Sequence, residues 1–83
     1  MRQDFPSDDH LRIIAENVRT MRAKRGLTQA DLARESGVSR ALISRIERSS
    51  TSIRLTSLFR IAKALRVRVR DLVSYHAPKG ADR

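Results

Sequence analysis

The sequence predicts an all-α protein, and two observations support this prediction. Apolar residues recur at the spacing of an α-helix over most of the chain. Proline, which breaks helices, occurs only at Pro6 and Pro78, and Gly26 and Gly37 stand where the first two helical stretches end. The chain is therefore expected to consist of short helices separated by short breaks.

The length of 83 residues is enough for one compact domain, which we place at residues 8–76 between flexible tails at 1–7 and 77–83. Hydrophobic residues make up 40% of the chain, which allows a small core but leaves no room for a large catalytic cleft. Asp8, Asp9 and His10 could indicate acid–base or metal chemistry. The two acids are explained more simply by the positive end of the first helix, so we do not expect an enzyme.

Cysteine is absent, which excludes disulfides, cysteine-bound metals and a thiol nucleophile. The two histidines, His10 and His76, lie near opposite ends of the chain, which argues against a histidine metal site. No apolar run is long enough to cross a membrane, and the first residues lack the apolar stretch of a secretory signal. We therefore expect a cytoplasmic protein without a metal, another cofactor, a small-molecule ligand or a membrane partner.

Basic residues outnumber acidic residues by 18 to 9, and the excess is unevenly distributed. Residues 1–15 carry a net charge of −1, whereas residues 16–83 hold 16 basic and 6 acidic residues, a net charge of +10. A compact basic body indicates a polyanionic partner, with simple solubilising charge and an anionic membrane as alternatives. Trp is absent and only three aromatic residues occur, which disfavours both the membrane and RNA.

The first helix is expected from about Asp8 to Arg25. Ser7 or Asp8 can cap its start, and Gly26 follows as a left-handed stop. The apolar stripe of this helix comprises Leu11, Ile14, Val18 and Met21.

The second and third helices are expected to form a helix-turn-helix. The second helix starts at Thr28, which forms a capping box with Asp31, and ends near Ser36. Residues 37–39 then lead into a third helix at about Ser39–Arg48, which Ser39 can cap. Two short helices joined by a three-residue turn with a glycine are the signature of this motif.

The third helix has two different faces. One face carries Leu42, Ile43 and Ile46 and is expected to face the core. The opposite face carries three guanidinium groups and short side chains, contributed by Arg40, Ala41, Ser44, Arg45 and Arg48. Short side chains let the backbone approach a DNA groove and long ones reach the base edges, so this face predicts DNA binding.

Glu47 lies at the edge of the apolar face of the third helix. A carboxylate that faced DNA phosphates would be repelled, so we expect Glu47 to turn inward and pair with a cation, for which Arg22 is the candidate. The hydroxyl-rich residues 49–52 can donate hydrogen bonds to phosphates, although they also suit an ordinary polar connection.

Two more helices are expected in the C-terminal third. The fourth runs from about Leu55 to Leu65, with Ile61 flanking its apolar side, which comprises Leu55, Leu58, Phe59, Ala62 and Leu65. Residues 66–70 alternate with a period of two, as a strand would, but five residues make a poor isolated strand. We favour a short fifth helix that ends near Tyr75, lacks a polar cap at its start, and docks on a second subunit.

Several segments together resemble the phage-repressor/Cro helix-turn-helix family, also called the XRE family. They are Arg22–Ala33, Gly37–Ser39, Ile43–Arg48, Ile61–Leu65 and Leu72, within a resemblance that covers about Ile14 to Val73. The resemblance implies a compact five-helix, lambda-repressor-like DNA-binding domain with the helix-turn-helix at helices 2–3. It also implies that the domain binds duplex DNA as a homodimer.

The resemblance also implies roles for individual residues. Arg22 and Glu47 match the inter-helix salt bridge of the family, and Gln29 matches its phosphate-contacting and bracing glutamine. Positions that read or flank bases are matched by Ser39, Arg40, Ala41, Ser44 and Arg45. With the charge argument added, the expected phosphate contacts are Thr28, Gln29, Arg34, Arg48, Ser50, Thr51 and Arg54. The expected dimer interface comprises Val69, Leu72, Val73 and Tyr75.

Four positions depart from the family pattern. Ser49 stands where a glycine commonly follows the third helix, and Ile53 replaces a proline before the fourth. Arg66 replaces a glycine after the fourth helix, and Arg68 replaces the serine that caps the fifth. These changes leave the DNA-reading unit intact.

The sequence thus predicts a sequence-specific transcriptional regulator that binds double-stranded DNA. The expected form is a homodimeric repressor that reads a palindromic operator through the third helix in the major groove. The alternative is an antitoxin or a restriction–modification controller-type protein, in which DNA binding is coupled to a protein partner or to activation.

Overall fold

The computed structural model describes residues 7–76, and these residues form five helices without a strand. The helices are α1 (Ser7–Lys24), α2 (Gln29–Ser36), α3 (Arg40–Glu47), α4 (Leu55–Leu65) and α5 (Val69–Val73). The predicted all-α class is confirmed, and residues 69–73 are helical rather than extended. The expected tails at 1–7 and 77–83 lie outside the described residues, apart from Ser7, at which α1 begins.

Every helix contributes to one hydrophobic core. The largest fully buried side chains are Val18, Leu32, Ile43, Ile46, Ile61 and Leu72. α1 packs on α3 and α5, while α2 packs on α3 and α4. Helices as short as α2 to α5 are not stable alone in water, so burial of these faces must stabilise them together. Within residues 7–76, none of the helices has the length and apolar content needed to cross a bilayer.

The ends of α2 and α3 are formed by the predicted residues. The Thr28 hydroxyl accepts a hydrogen bond from the Asp31 amide at 3.0 Å, and the Asp31 carboxylate accepts one from the Thr28 amide at 3.0 Å. This confirms the capping box. Ser39 caps α3 by accepting a hydrogen bond from the Leu42 amide at 3.1 Å.

The buried face of α4 differs from the predicted one. Leu55 and Phe59 were expected in the core, but their exposed fractions are 63% and 57%. Ile61, expected at the flank, is fully buried. The reason is that α4 packs against α2 with Ala64 and Ile61 inside the core, which rotates the buried arc away from Leu55 and Phe59.

The fifth helix confirms one expectation and corrects another. As expected, no polar side chain at position 68 caps its first amides; the contact formed there is a hydrogen bond of 2.9 Å from the Arg68 amide to the Asp71 carboxylate. Leu72, expected at the dimer interface, is fully buried against the other helices, so it has no surface to present to a second copy. Val69 packs partly against the core, whereas Val73 and Tyr75 are 46% and 69% exposed.

Two of the departures from the family pattern keep the backbone conformation of a glycine. Ser49 follows α3 with φ = 59°, and Arg66 ends α4 with φ = 61°. This left-handed conformation costs a residue with a Cβ atom about 1 kcal/mol or more in free energy. Other contacts must therefore hold both turns.

The burial of Leu72 predicts its effect on stability. Leu72→Ala should lower the free energy of unfolding by about 2–5 kcal/mol, because it removes a core side chain and leaves a cavity. The matched control is Leu55→Ala, which makes the same change at an exposed site and should alter stability by about 0.5 kcal/mol or less in dilute solution. Urea denaturation followed by circular dichroism measures both. Equal losses for the two variants would contradict the assignment of Leu72 to the core.

Candidate nucleic-acid interface

The turn between α2 and α3 has a conformation that requires glycine at its first position. Gly37 has φ = 76° and ψ = 9°, and its amide donates a hydrogen bond of 2.9 Å to the Ala33 carbonyl. Val38 then turns into the core, and its amide donates a hydrogen bond of 3.1 Å to the buried hydroxyl of Ser36. These contacts fix the direction in which the chain enters α3.

The carboxylate of Glu47 joins the first three helices. Its side chain is 4% exposed, and the Arg22 guanidinium donates hydrogen bonds to its two oxygens at 2.7 and 3.0 Å. The side-chain amide of Gln29 donates a third bond, of 3.0 Å. Bidentate pairing with a guanidinium is the geometry that best compensates a buried carboxylate. The structure thus pairs Arg22 with Glu47 as the sequence predicted, and it adds Gln29, whose bond to Glu47 was not predicted.

Arginines of α1 also hold the segments on either side of α2 and α3. The Arg22 guanidinium donates a further bond of 2.8 Å to the Leu27 carbonyl, and Arg19 donates one of 2.5 Å to the main-chain carbonyl of Glu47. Hydrogen bonding to the Glu47 carboxylate raises the pKa of Arg22, against the opposing effect of burial.

The outer face of α3 carries the predicted DNA-reading residues. Arg40, Ala41 and Arg45 are exposed, while Ser44 is half-buried. Among the described residues, Arg40 and Arg45 have no hydrogen-bond or ion-pair partner for their guanidinium groups. The hydroxyl of Ser39 is exposed but already accepts the bond that caps the helix. The inner face of α3 is closed by Ile43 and Ile46, so its outer face is free for a ligand.

The C-terminal end of α3 is arranged by its own polar residues. Arg48 donates a hydrogen bond to the Ser44 hydroxyl, one turn earlier on the same face. The amide and the hydroxyl of Ser50 both donate to the Arg45 carbonyl, at 3.0 and 3.1 Å. Thr51 bonds to the Ser52 carbonyl. Ser50 and Thr51 thus form local bonds that shape the loop.

The remaining predicted phosphate contacts lie on α2 and just before α4. Asp31 bonds to Thr28 and to the exposed guanidinium of Arg34, which lies 2.7 Å away. The bond from the Thr28 amide, followed by the one from Arg34, lowers the pKa of Asp31 below its usual value. Arg54 is exposed at the start of α4.

The structure exposes large hydrophobic side chains that the sequence analysis assigned correctly only in part. Among residues 7–76 they are Leu55, Phe59, Val73 and Tyr75. Val73 and Tyr75 were expected at an interface, but Leu55 and Phe59 were assigned to the core. Their spacing of four residues, at the edge of the apolar stripe of α4, was the signal that could have separated them from the core positions.

No group of three or more His, Asp or Glu side chains among residues 7–76 could hold a metal ion. The arrangement that the structure does offer is a two-sided helix, held on its inner face and lined with arginine on its outer face. A helix-turn-helix with this geometry defines a class of DNA-binding transcription regulators.

Comparison with known families agrees with the class that the geometry defines. The sequence pattern of the Helix-turn-helix family HTH_3 matches residues 18–72. The chain therefore belongs to this family, and it is a DNA-binding regulator of the XRE type.

Two relatives are similar in sequence to most of this chain. The control protein C.SmaI of Serratia marcescens is 40% identical over 62 residues, which cover 75% of this chain and 74% of the relative. A hypothetical transcription factor of Neisseria meningitidis is 34% identical over 71 residues, which cover 84% of this chain and 67% of the relative.

Solved structures show the same fold. The restriction–modification controller protein C.AhdI of Aeromonas hydrophila superposes with a TM-score of 0.72 at 31% identity, over 75% of this chain and 94% of that one. A transcriptional regulator of the HTH_3 family from Vibrio cholerae superposes with a TM-score of 0.75 at 29% identity, over 78% of this chain. This chain spans 36% of the length of the Vibrio cholerae regulator.

The contacts of Glu47 predict that it is required for stability. Glu47→Ala should lower the free energy of unfolding by about 3–5 kcal/mol, because it leaves the largely buried Arg22 without its partner. Once Glu47 is removed, Arg22→Ala should cost little more, which a double-mutant cycle measures by urea denaturation.

The control for this cycle is the exposed ion pair between Arg12 and Asp9 of α1. Arg12→Ala should change the free energy of unfolding by about 1 kcal/mol or less. If Glu47→Ala proves as mild as this control, the carboxylate does not organise the motif.

Proposed function

We propose that this protein is a homodimeric repressor that reads a palindromic operator through α3 in the major groove. The observation that carries the proposal is the outer face of α3, on which Arg40 and Arg45 are exposed and unpaired among the described residues, with the short side chain of Ala41 beside them. A major groove admits a helix of this kind, and a guanidinium can bond to both acceptors of a guanine edge. Ser39 and Ser44 complete the proposed base-reading set.

The proposed phosphate contacts surround this helix. Thr28 and Gln29 lie at the start of α2, where main-chain amides and the helix dipole favour an anion, and Arg34 lies in the last turn of the same helix. Arg48 and the loop hydroxyls of Ser50 and Thr51 follow α3, and Arg54 precedes α4. Contacts of this kind supply salt-dependent affinity and place α3 in the groove, but they do not select a sequence.

A dimer is proposed because one domain of this size reads about half of an operator. Two copies related by a two-fold axis would place their α3 helices about 34 Å apart, one turn of the duplex. The surface proposed for the contact is the exposed apolar one, which comprises Leu55, Phe59, Val73 and Tyr75. Leu72 is not part of it, and Val69 contributes only its exposed edge.

A second candidate function is favoured by the comparisons. C.SmaI is named a control protein and C.AhdI a restriction–modification controller protein, and both resemble this chain over about three quarters of its length. In that case the protein would regulate a restriction–modification operon, with activation at a neighbouring promoter beside repression. Either function places the protein with DNA, for which we propose the cytoplasm.

Selection of bound duplexes from a random pool at two salt concentrations tests the proposal directly. The expected result is a palindromic sequence whose half-sites are about one helical turn apart. Arg45→Ala should lose about 1–3 kcal/mol of discrimination at one base pair of each half-site, while its affinity for random DNA changes much less. Fluorescence anisotropy with labelled duplexes measures both affinities.

The matched control is Arg34→Ala, an arginine proposed to touch only phosphate. It should weaken binding to all duplexes alike and reduce the slope of log affinity against log salt by about one contact. Selection of an asymmetric single site would overturn the palindromic operator. Parallel losses for specific and random DNA in Arg45→Ala would remove Arg45 from the base-reading set.

The proposed dimer makes a separate prediction. Phe59→Ser should weaken dimerisation by about 100-fold or more, because the two-fold axis removes the aromatic side chain twice. Sedimentation equilibrium measures the dissociation constant, and Arg60→Ser, an exposed position about 100° around α4 from Phe59, is the control. A wild-type protein that stays monomeric at high concentration, or a Phe59→Ser variant that dimerises normally, would contradict this interface.

A further inference from the structure

Three polar side chains are buried among the described residues, namely Asn17, Ser36 and Glu47. Ser36 and Glu47 belong to the helix-turn-helix and its support. Asn17 lies on α1 and is 7% exposed, and it takes no part in that unit. A buried amide is retained only where it has hydrogen-bond partners, so its contacts indicate what it does.

The amide nitrogen of Asn17 lies at the C-terminal end of α5. It donates hydrogen bonds to the carbonyl oxygens of Leu72 and Ser74, both at 2.8 Å, and lies 3.2 Å from that of Asp71. The last carbonyls of a helix have no partner within the helix, and α5 is not followed by a glycine that could cap it. Asn17 therefore caps α5 from another helix.

The segment that Asn17 caps is short. α5 has five residues, which is too few for a stable helix, and Ser74 leaves it in an extended conformation with φ = −96° and ψ = 143°. Two bonds within the segment hold residues 74–76 on α5: the Ser74 hydroxyl donates to the Arg70 carbonyl at 2.6 Å, and the His76 ring lies 2.8 Å from the Asp71 carbonyl. Tyr75 and His76 line an open groove of about 980 Å³ beside α1. Leu72 anchors α5 in the core, and the bonds from Asn17 tie the end of α5 to α1.

We propose that Asn17 is a positioning residue for dimerisation: it fixes the end of α5 on α1 so that Val73 and Tyr75 face a second copy in one orientation. The proposal rests on the dimer described under the proposed function. Asn17 itself is buried and is not one of the residues proposed to contact the second copy. The same bonds fix the orientation of the second subunit relative to α1. This helix also carries Arg22, which contacts Glu47 of α3.

The test compares Asn17→Leu with the wild-type protein. Leucine has nearly the same size and favours a helix, so α1 to α4 should keep their structure while both donors are lost. Hydrogen exchange measured by NMR should show faster exchange of the amides of α5 by about tenfold or more, with the amides of α2 and α3 unchanged. Sedimentation equilibrium should show dimerisation weakened by about tenfold or more, the effect of losing hydrogen bonds that orient an interface.

Thr20→Ala is the matched control, because Thr20 is exposed on α1 one turn further along the same groove. It should leave both measurements unchanged. Asn17→Ala serves as a second variant and should behave like Asn17→Leu. Unfolding of both variants would overturn the proposal, because Asn17 would then support the whole domain rather than one segment.

The failures of the two proposals are distinguishable. If the wild-type protein dimerises and Asn17→Leu dimerises equally well, only the role of Asn17 is wrong. The same holds if the amides of α5 exchange at the wild-type rate. If the wild-type protein remains monomeric, the proposed dimer fails, and the positioning role fails with it.

Discussion

The buried carboxylate of Glu47 is the interaction on which the DNA-binding half of this protein depends. Removing a charge from water is costly, and the cost is offset only when α1 supplies Arg22 and α2 supplies Gln29 at the same point as α3. The three helices therefore satisfy this group in one relative arrangement only. That arrangement turns Arg40 and Arg45 outward, so a constraint inside the molecule determines the shape of its outer surface.

Side chains on or directly after α1 donate hydrogen bonds to main-chain carbonyls at the ends of other helices. Asn17 donates to carbonyls at the end of α5 and Arg19 to the last carbonyl of α3, while Arg25, the residue after α1, donates to the Ala64 carbonyl near the end of α4 at 2.5 Å. Ser49 and Arg66 follow the ends of α3 and α4 in left-handed conformations despite their Cβ atoms. The bonds from Arg19 and Arg25 help to hold the helix ends that precede these two turns.

The sequence predicted the local features of the fold well, because each depends on a few neighbouring residues. The capping box of Thr28 and the pairing of Glu47 with Arg22 followed from residue type, spacing and charge. The rotation of α4 did not follow, since the stripe through Leu55 and Phe59 is about as apolar as the stripe through Ile61. Only the position of α2 decides which stripe is buried, and that position is a property of the assembled core. The donors of Asn17 were missed for the same reason, since their acceptors lie more than fifty residues away.

The two faces of α3 separate folding from recognition. Its inner side chains are fixed by the core and by Glu47, whereas Arg40, Ala41 and Arg45 make no contribution to that packing. Under the proposed function, substitutions at these outward positions alter the preferred operator at almost no cost in stability. New binding specificities can then arise on an unchanged scaffold, because the residues proposed to read DNA are not the residues that hold the fold together.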